Sequence, residues 1–378
     1  MERRHTKIDK PLLIAMLIMM IIGLIMVLSA SSMASYMRYN NSIYYYFMRQ
    51  AIFMVIGILA FFIAICLPTK FFKKISPFLL FILIISLLGL MFYGSVYNSS
   101  KGWYDLKFFT VQPSEIGKII IILYLAYYYN KHHKELDNLW ILLRPIILMI
   151  VIFILIAMQP DLETASIVFG IVIAIFYTLP LKKETRSPIN KIIIGVVVLL
   201  GLSLILTGGS FLRDYQLERF NFIDPCKRYE QESGYQLCNS LIALNNGGLT
   251  GKGPGASTQK YLYLPESHTD FIFPITVEEF GVLGGIVIIL IYLFILVRVL
   301  NIAKKANNLG NAIIAFGVFM YLLLHVVINL MGVMGIGPLT GVPLPFLSYG
   351  GSYTLTLLFS MGLVQRVHYE SFKRKQSN

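Results

Sequence analysis

Residues 12–28 read Leu-Leu-Ile-Ala-Met-Leu-Ile-Met-Met-Ile-Ile-Gly-Leu-Ile-Met-Val-Leu, a run without a single charge. As a helix it approaches the ~30 Å of a bilayer's hydrocarbon core. Comparable runs recur at Ala51–Leu67, Phe78–Tyr93, Ile116–Tyr129, Ile141–Met158, Thr164–Leu179, Ile192–Leu206, Phe271–Val297, Ala312–Val333 and Tyr353–Val364. They predict an all-α polytopic integral membrane protein of about ten transmembrane helices. Of the 378 residues, 57% are hydrophobic and 13% charged, against roughly 45–50% and 25% in soluble domains. This excludes a disordered chain and an ordinary cytosolic enzyme.

The net charge of +13 would suggest nucleic acid in a soluble chain. Sorted by position it becomes a topology signal, and no nucleic-acid partner is implied. The termini and the loops on their side of the spans carry 21 cations and 6 anions, a balance of +15, and the rest of the chain stands at −2. The positive-inside rule then puts both termini in the cytoplasm. The first run has no small-residue cleavage site and reads as an uncleaved start-transfer helix.

The chain reads as one membrane domain over 1–378, with a large outer loop at 207–269. Within that loop are an amphipathic stretch at Phe211–Phe222, a turn at Asp224-Pro225, an apolar-periodic stretch at Tyr235–Leu244 and a Gly-rich run at Asn245–Gly255. Together they predict a small folded cap on the outer membrane surface. The Gly- and Pro-rich segment Gly335–Gly351 predicts a re-entrant element beside a site, because irregular backbone at membrane depth must be satisfied by protein or a water-filled cavity. Of the three cysteines, Cys66 is expected to be a buried thiol. Cys226 and Cys238 share the outer loop, where a bridge and two free thiols both fit.

Ionisable groups at the outer ends of spans are the candidates for chemistry, because burial there is costly. Gln112-Pro-Ser-Glu-Ile-Gly-Lys opens the fourth span and puts Glu115 and Lys118 on one helix face. Helix-start preferences explain Pro113 and Glu115 but not Lys118. In Gln159-Pro-Asp-Leu-Glu, Asp161 fits an N-cap and a functional carboxylate equally well. The densest cluster is Tyr263-Leu-Pro-Glu-Ser-His-Thr-Asp-Phe-Ile-Phe with Glu278-Glu279, which brings Glu266, His268 and Asp270 to a helix mouth. Asp270 fits a cap, or a general base whose pKa is raised by desolvation. No zinc-site spacing and no phosphate-binding loop is present.

In order along the chain, Leu28-Ser-Ala-Ser-Ser, Gln112-Pro-Ser-Glu, Gln159-Pro-Asp-Leu, Leu264-Pro-Glu-Ser-His-Thr-Asp-Phe-Ile-Phe and Pro343-Leu-Pro-Phe-Leu-Ser-Tyr-Gly-Gly-Ser resemble the SEDS family, the FtsW, RodA and SpoVE type. The resemblance implies a peptidoglycan glycosyltransferase of the bacterial cytoplasmic membrane that polymerises lipid II at the extracytoplasmic face. It also implies ten helices with the large loop between the seventh and eighth. Asp270 would be the catalytic residue, supported by Glu115, Lys118, Asp161, Glu266, His268, Glu279, Lys260 and Ser348. Implied partners are lipid II, the undecaprenyl-pyrophosphate-linked glycan, a class B penicillin-binding protein and divisome or elongasome proteins. Three departures stand out: the short Ser100-Lys-Gly-Trp-Tyr, Glu163 in place of the usual Gly, and Pro274 interrupting the eighth helix. Gln259-Lys-Tyr-Leu-Tyr-Leu-Pro-Glu leans to FtsW and Thr340-Gly-Val-Pro-Leu-Pro-Phe to RodA, with FtsW slightly favoured.

These residues permit an inverting transfer of the growing glycan to the GlcNAc 4-hydroxyl of lipid II. Lys118, Arg213, Arg219, Lys252 and Lys260 are candidates to meet the pyrophosphate charge, with room for Mg²⁺ or another divalent cation. The competing class is a lipid II flippase or ion-coupled transporter, which would use Glu115, Lys118, Asp161 and Glu163 as a relay. The crowding of ionisable residues at the outer rim favours the enzyme.

Overall fold

The computed structural model describes residues 8–38, 42–97, 100–107, 109–187, 190–191, 214–261 and 263–377. The predicted span Ile192–Leu206 and the candidate Arg213 lie outside the described residues. Besides helical residues at 183–187 and 190–191, eleven α-helices are described: α1 (Lys10–Arg38), α2 (Tyr45–Cys66), α3 (Thr69–Tyr93), α4 (Pro113–Lys131), α5 (Leu139–Ala157), α6 (Leu162–Thr178), α7 (Asp214–Phe220), α8 (Glu232–Asn246), α9 (Ile272–Lys304), α10 (Leu309–Val333) and α11 (Gly351–Ser377). Six of them, α1, α2, α3, α5, α9 and α10, are long and apolar enough to cross a membrane, and α6 is a shorter apolar helix. The protein is a polytopic membrane protein.

Each long helix divides its apolar residues between the bundle and its surroundings. On α1, Leu12, Met16, Met19 and Met26 are buried, while Ile14, Ile18, Ile21 and Ile25 are exposed on the opposite stripe. A helix apolar all round is what a lipid-facing bundle requires. At the centre stands α4, packed against α3, α5, α6, α10 and α11. It buries Glu115 and Lys118 along with its aliphatic residues. The segment 94–111 carries three short antiparallel strands, β1 (Ser95–Tyr97), β2 (Ser100–Asp105) and β3 (Thr110–Val111), in the order β1-β2-β3. Sequence reading treats this stretch only as an outer connection, because the strands are too short for a period-2 pattern to emerge.

In the described part of the segment 207–269, α8 packs on α9 and α10. It is tied to the single-turn 3₁₀ helix Pro225–Arg228 by a disulfide between Cys226 and Cys238, with Cα atoms 4.9 Å apart. The expected buried thiol of Cys66 is not found: it is the last residue of α2 and is exposed. Nor does Pro274 interrupt α9. It is the third residue of that helix, where a backbone N–H has no intrahelical partner to lose.

The break in α9 comes instead at Gly281, whose φ of 73° and ψ of 178° belong to glycine alone. The Gly-rich run fills the gap. Lys252 N and Gly253 N donate to the carbonyls of Glu278 and Glu279 at 2.9 and 3.0 Å. Val282 N and Leu283 N donate to Gly248 O and Leu249 O at 2.9 and 3.2 Å. The backbone groups orphaned by the break are thereby satisfied without water.

Candidate active site

A cavity of about 550 Å³ opens where α4, α6, α9 and α11 begin, walled on one side by the connection 334–350. Asp270, two residues before α9, is half-buried on its wall beside Glu266, Glu163 and Arg219. Glu163 pairs with Arg219 and accepts a 2.6 Å bond from Gly341 N. A Cβ built at Gly341 would stand 3.3 Å from Asp270 Oδ2 and 3.1 Å from Glu163 Oε2. Among the described residues no donor contacts the Asp270 carboxylate. Burial first, then the charges of Glu266 and Glu163, push its pKa well above the usual carboxylate range, and Arg219 opposes them. A carboxylate so placed is an acceptor with nothing yet to accept.

The turn carrying Asp270 is held from both sides. Glu266 sits in the left-handed region at φ 53°. Its carbonyl accepts from Thr269 N and Oγ1, and its carboxylate accepts from Thr269 Oγ1 at 2.9 Å. Asn329 on α10 donates through one amide nitrogen to Asp270 O and Val342 O, both at 2.8 Å. Ser348 donates to Thr269 O at 2.6 Å and accepts from Leu344 N at 2.8 Å. His268 is buried against Tyr46, with ring centroids 4.3 Å apart, and its carbonyl accepts from Tyr349 N. Burial brings its imidazole pKa down to about 4. His268 and Ser348 therefore brace the turn from outside the cavity wall. The connection 334–350 is irregular, as its Gly and Pro content predicts, and these same residues bond its Val342 O, Leu344 N and Tyr349 N.

Deeper in the cavity, Lys118 Nζ donates to Glu115 Oε1 at 2.7 Å and to His325 Nε2 at 3.0 Å, within 5.7 Å of the Tyr321 ring centroid. His325 Nδ1 lies 3.1 Å from Pro343 O, and its ring stacks on Tyr353 at 4.9 Å. Sequence reading passed over His325. Its only signal was an ionisable residue in the middle of an apolar helix. Asp161 is the N-cap of α6, accepting from Thr164 N at 3.0 Å, and its second oxygen accepts from Gln112 Nε2 at 3.0 Å. It lines the same cavity, so the capping and site readings both apply to it.

Two candidates are held elsewhere. Lys260 Nζ pairs with Glu279 Oε1 at 3.0 Å, and both bind Ser29 of α1. Glu278 accepts from Lys252, Ser257, Thr258, Gln259 and Asn246. These acids fasten the Gly-rich run to α9, and neither Lys252 nor Lys260 lines the cavity. The cations that do are Arg49, Lys118 and Arg219. Among the described residues no three His, Cys, Asp or Glu side chains gather into a metal-holding cluster.

The cell cycle protein family FTSW_RODA_SPOVE matches residues 10–373. The probable peptidoglycan glycosyltransferase FtsW of Bacillus subtilis is 34% identical over 377 residues, covering 97% of this chain and 93% of its own. Stage V sporulation protein E of the same organism is 32% identical, covering 97% and 98%. Among solved structures, a chain of a peptidoglycan synthase complex that coordinates polymerization and crosslinking superposes with a TM-score of 0.77 at 22% identity, over 97% of this chain and 99% of that one. Thermus thermophilus RodA superposes with a TM-score of 0.69 at 22% identity, over 97% and 98%. At that identity the structural likeness is one of fold.

Proposed function

The chain belongs to the FtsW/RodA/SpoVE family of cell cycle proteins, and from that membership we propose that it is a peptidoglycan glycosyltransferase that polymerises lipid II. The relatives that carry this activity in their names support polymerisation over the carrier reading. In the proposed reaction, Asp270 accepts the proton of the lipid II GlcNAc 4-hydroxyl as that oxygen attacks the anomeric carbon of the lipid-linked glycan. The new C–O bond forms on the face opposite the pyrophosphate. The bond from the anomeric carbon to the phosphate oxygen breaks, and the undecaprenyl pyrophosphate leaves with the electron pair, so the centre inverts. Pyrophosphate is a good leaving group that needs cationic support rather than a protonating acid. Arg219 and Arg49 are the cavity cations from outside the deep Lys118 pair.

One observation carries this reading: the Asp270 carboxylate, its pKa raised, faces a cavity large enough for sugar rings. The ten apolar runs of the sequence support the ten-helix topology, and the positive-inside count over them supports cytoplasmic termini and an outward-facing cavity. A class B transpeptidase partner accords with the synthase complex whose chain shares this fold. The test is polymerisation of lipid II in detergent by the purified protein with its transpeptidase, wild type against Asp270→Asn. Wild type is expected to make glycan strands and Asp270→Asn none. Normal polymerisation by the variant would remove Asp270 from the mechanism, and lipid II flipping without polymer would restore the carrier.

A further inference from the structure

At the opposite end of the bundle, a second cavity of about 480 Å³ lies between the start of α3, the end of α4, the start of α10 and the end of α11. Its charged lining is Lys70, Lys73, Lys74 and Lys131 against one acid, Glu370. That acid is already committed. It accepts from Thr69 N and Oγ1 and from Asn311 Nδ2, and pairs with Arg366 Nε at 2.9 Å. Lys73 is only 9% exposed, and its Nζ donates to the neutral amide oxygen of Asn311 at 3.0 Å. Among the described residues none of the four lysines has a carboxylate within ion-pair distance.

Buried charge is normally paired, and cations gathered around one void repel each other unless an anion lies among them. Basic pockets between helices at the cytoplasmic end of a bundle match lipid phosphate groups in charge and depth. We propose that this cavity binds a phosphate-bearing anion, either the headgroup of an anionic phospholipid or a soluble phosphate. Lys73 would form its floor, and Lys70, Lys74 and Lys131 its rim.

The test uses the full-length protein in phosphatidylcholine nanodiscs, titrated with phosphatidylglycerol and followed by native mass spectrometry and thermal unfolding. A parallel titration in detergent uses inorganic phosphate. Lys70 and Lys74 are both exposed, so Lys70→Gln/Lys74→Gln keeps the fold. At about fivefold per lysine, the double variant is expected to bind the anion about 25-fold more weakly. Lys134→Gln, an exposed lysine outside the cavity, should change nothing. Selective retention of phosphatidylglycerol assigns the lipid source, and a phosphate response lost in the double variant assigns the soluble one. If neither ligand distinguishes wild type from the double variant, or if Lys134→Gln weakens binding equally, the proposal is overturned.

Discussion

Lys118 Nζ stands 3.0 Å from one ring nitrogen of His325, whose other nitrogen lies 3.1 Å from the carbonyl oxygen of Pro343. An ammonium only donates and a carbonyl only accepts, so the histidine is neutral, with its proton on Nδ1 and its lone pair on Nε2. His325 thus joins the buried ion pair of α4 to the connection that carries Gly341. Replacing it with leucine leaves the Lys118 ammonium one acceptor short and frees the Pro343 carbonyl. His325→Leu is expected to destabilise by about 2 kcal/mol, as for other orphaned buried polar groups, and to lower kcat. Thermal unfolding and polymerisation assays measure the two effects. Unchanged unfolding would show that the bond contributes nothing.

Asp270 titrates above the usual carboxylate range because burial, Glu266 and Glu163 all oppose its charge. A general base works only when deprotonated, so the acid limb of kcat/KM is expected above the ~3.9 of a free aspartate. Glu266→Gln removes one of the opposing charges and should move that limb to lower pH. The same shift fixes a stability effect. A carboxyl that ionises less readily folded than unfolded contributes stability below the unfolded pKa, and that stability is lost as pH rises through the folded pKa. Asp270→Asn should therefore abolish polymerisation while raising Tm at neutral pH, and a variant both inactive and less stable would contradict this origin of the shift.

Gly341 turns a backbone position into a specificity of shape. A methyl group there would sit 3.3 Å from Asp270 Oδ2 and 3.1 Å from Glu163 Oε2, so both carboxylates must move by a few tenths of an ångström. Gly341→Ala keeps the N–H that binds Glu163. It is expected to lower kcat roughly tenfold with little change in Tm, since small displacements of a reacting group cost rate before they cost stability. Equal loss of both would mean that the residue serves folding alone.

How far the sequence reveals this arrangement depends on the range of each contact. Runs such as residues 12–28 announce their helices because lipid-facing hydrophobicity is local. Glu115 and Lys118 announce their pairing because a helix places residues three apart on one face. The sequence does not show that Lys260 and Glu279 stand away from the cavity, because their mutual bond is completed by Ser29, 231 and 250 positions away. The sequence marks Glu163 only as a departure from the family's Gly, because its partners Arg219 and Gly341 lie far along the chain. The break at Gly281 was hidden for the same reason, its repair being made by residues 248–253.

The disulfide closes a separation of 12 residues between the 3₁₀ helix and α8. Cys226→Ser is expected to cost about 3 kcal/mol, the range for loops of this size. Cys226 and Cys238 should resist alkylation until reduced, whereas Cys66, exposed at the end of α2, should label without reductant. Mass spectrometry of labelled peptides, with and without reductant, reads both outcomes. Labelling of Cys238 in the unreduced protein would refute the bridge.

Gly281 is the sharpest stability test. Its φ of 73° strains any other residue, and a Cβ there would meet Leu249 O at 2.2 Å, a backbone atom that cannot step aside. The partner position is equally closed, since a Cβ at Gly251 would meet Glu279 O at 2.2 Å. Gly281→Ala must therefore push the Gly-rich run off α9, releasing four backbone hydrogen bonds and loosening the Glu278 anchor. Beyond the backbone strain of about 1–3 kcal/mol, the variant loses the contacts that fix the cap. The expected result is a protein that inserts but unfolds at lower temperature, with faster proteolysis within 245–260. Gly285→Ala, one turn along the same helix, meets only the ends of the Val277 and Phe273 side chains and should be far milder. If the two variants unfold alike, the splice at Gly281 is not what holds the cap to the bundle.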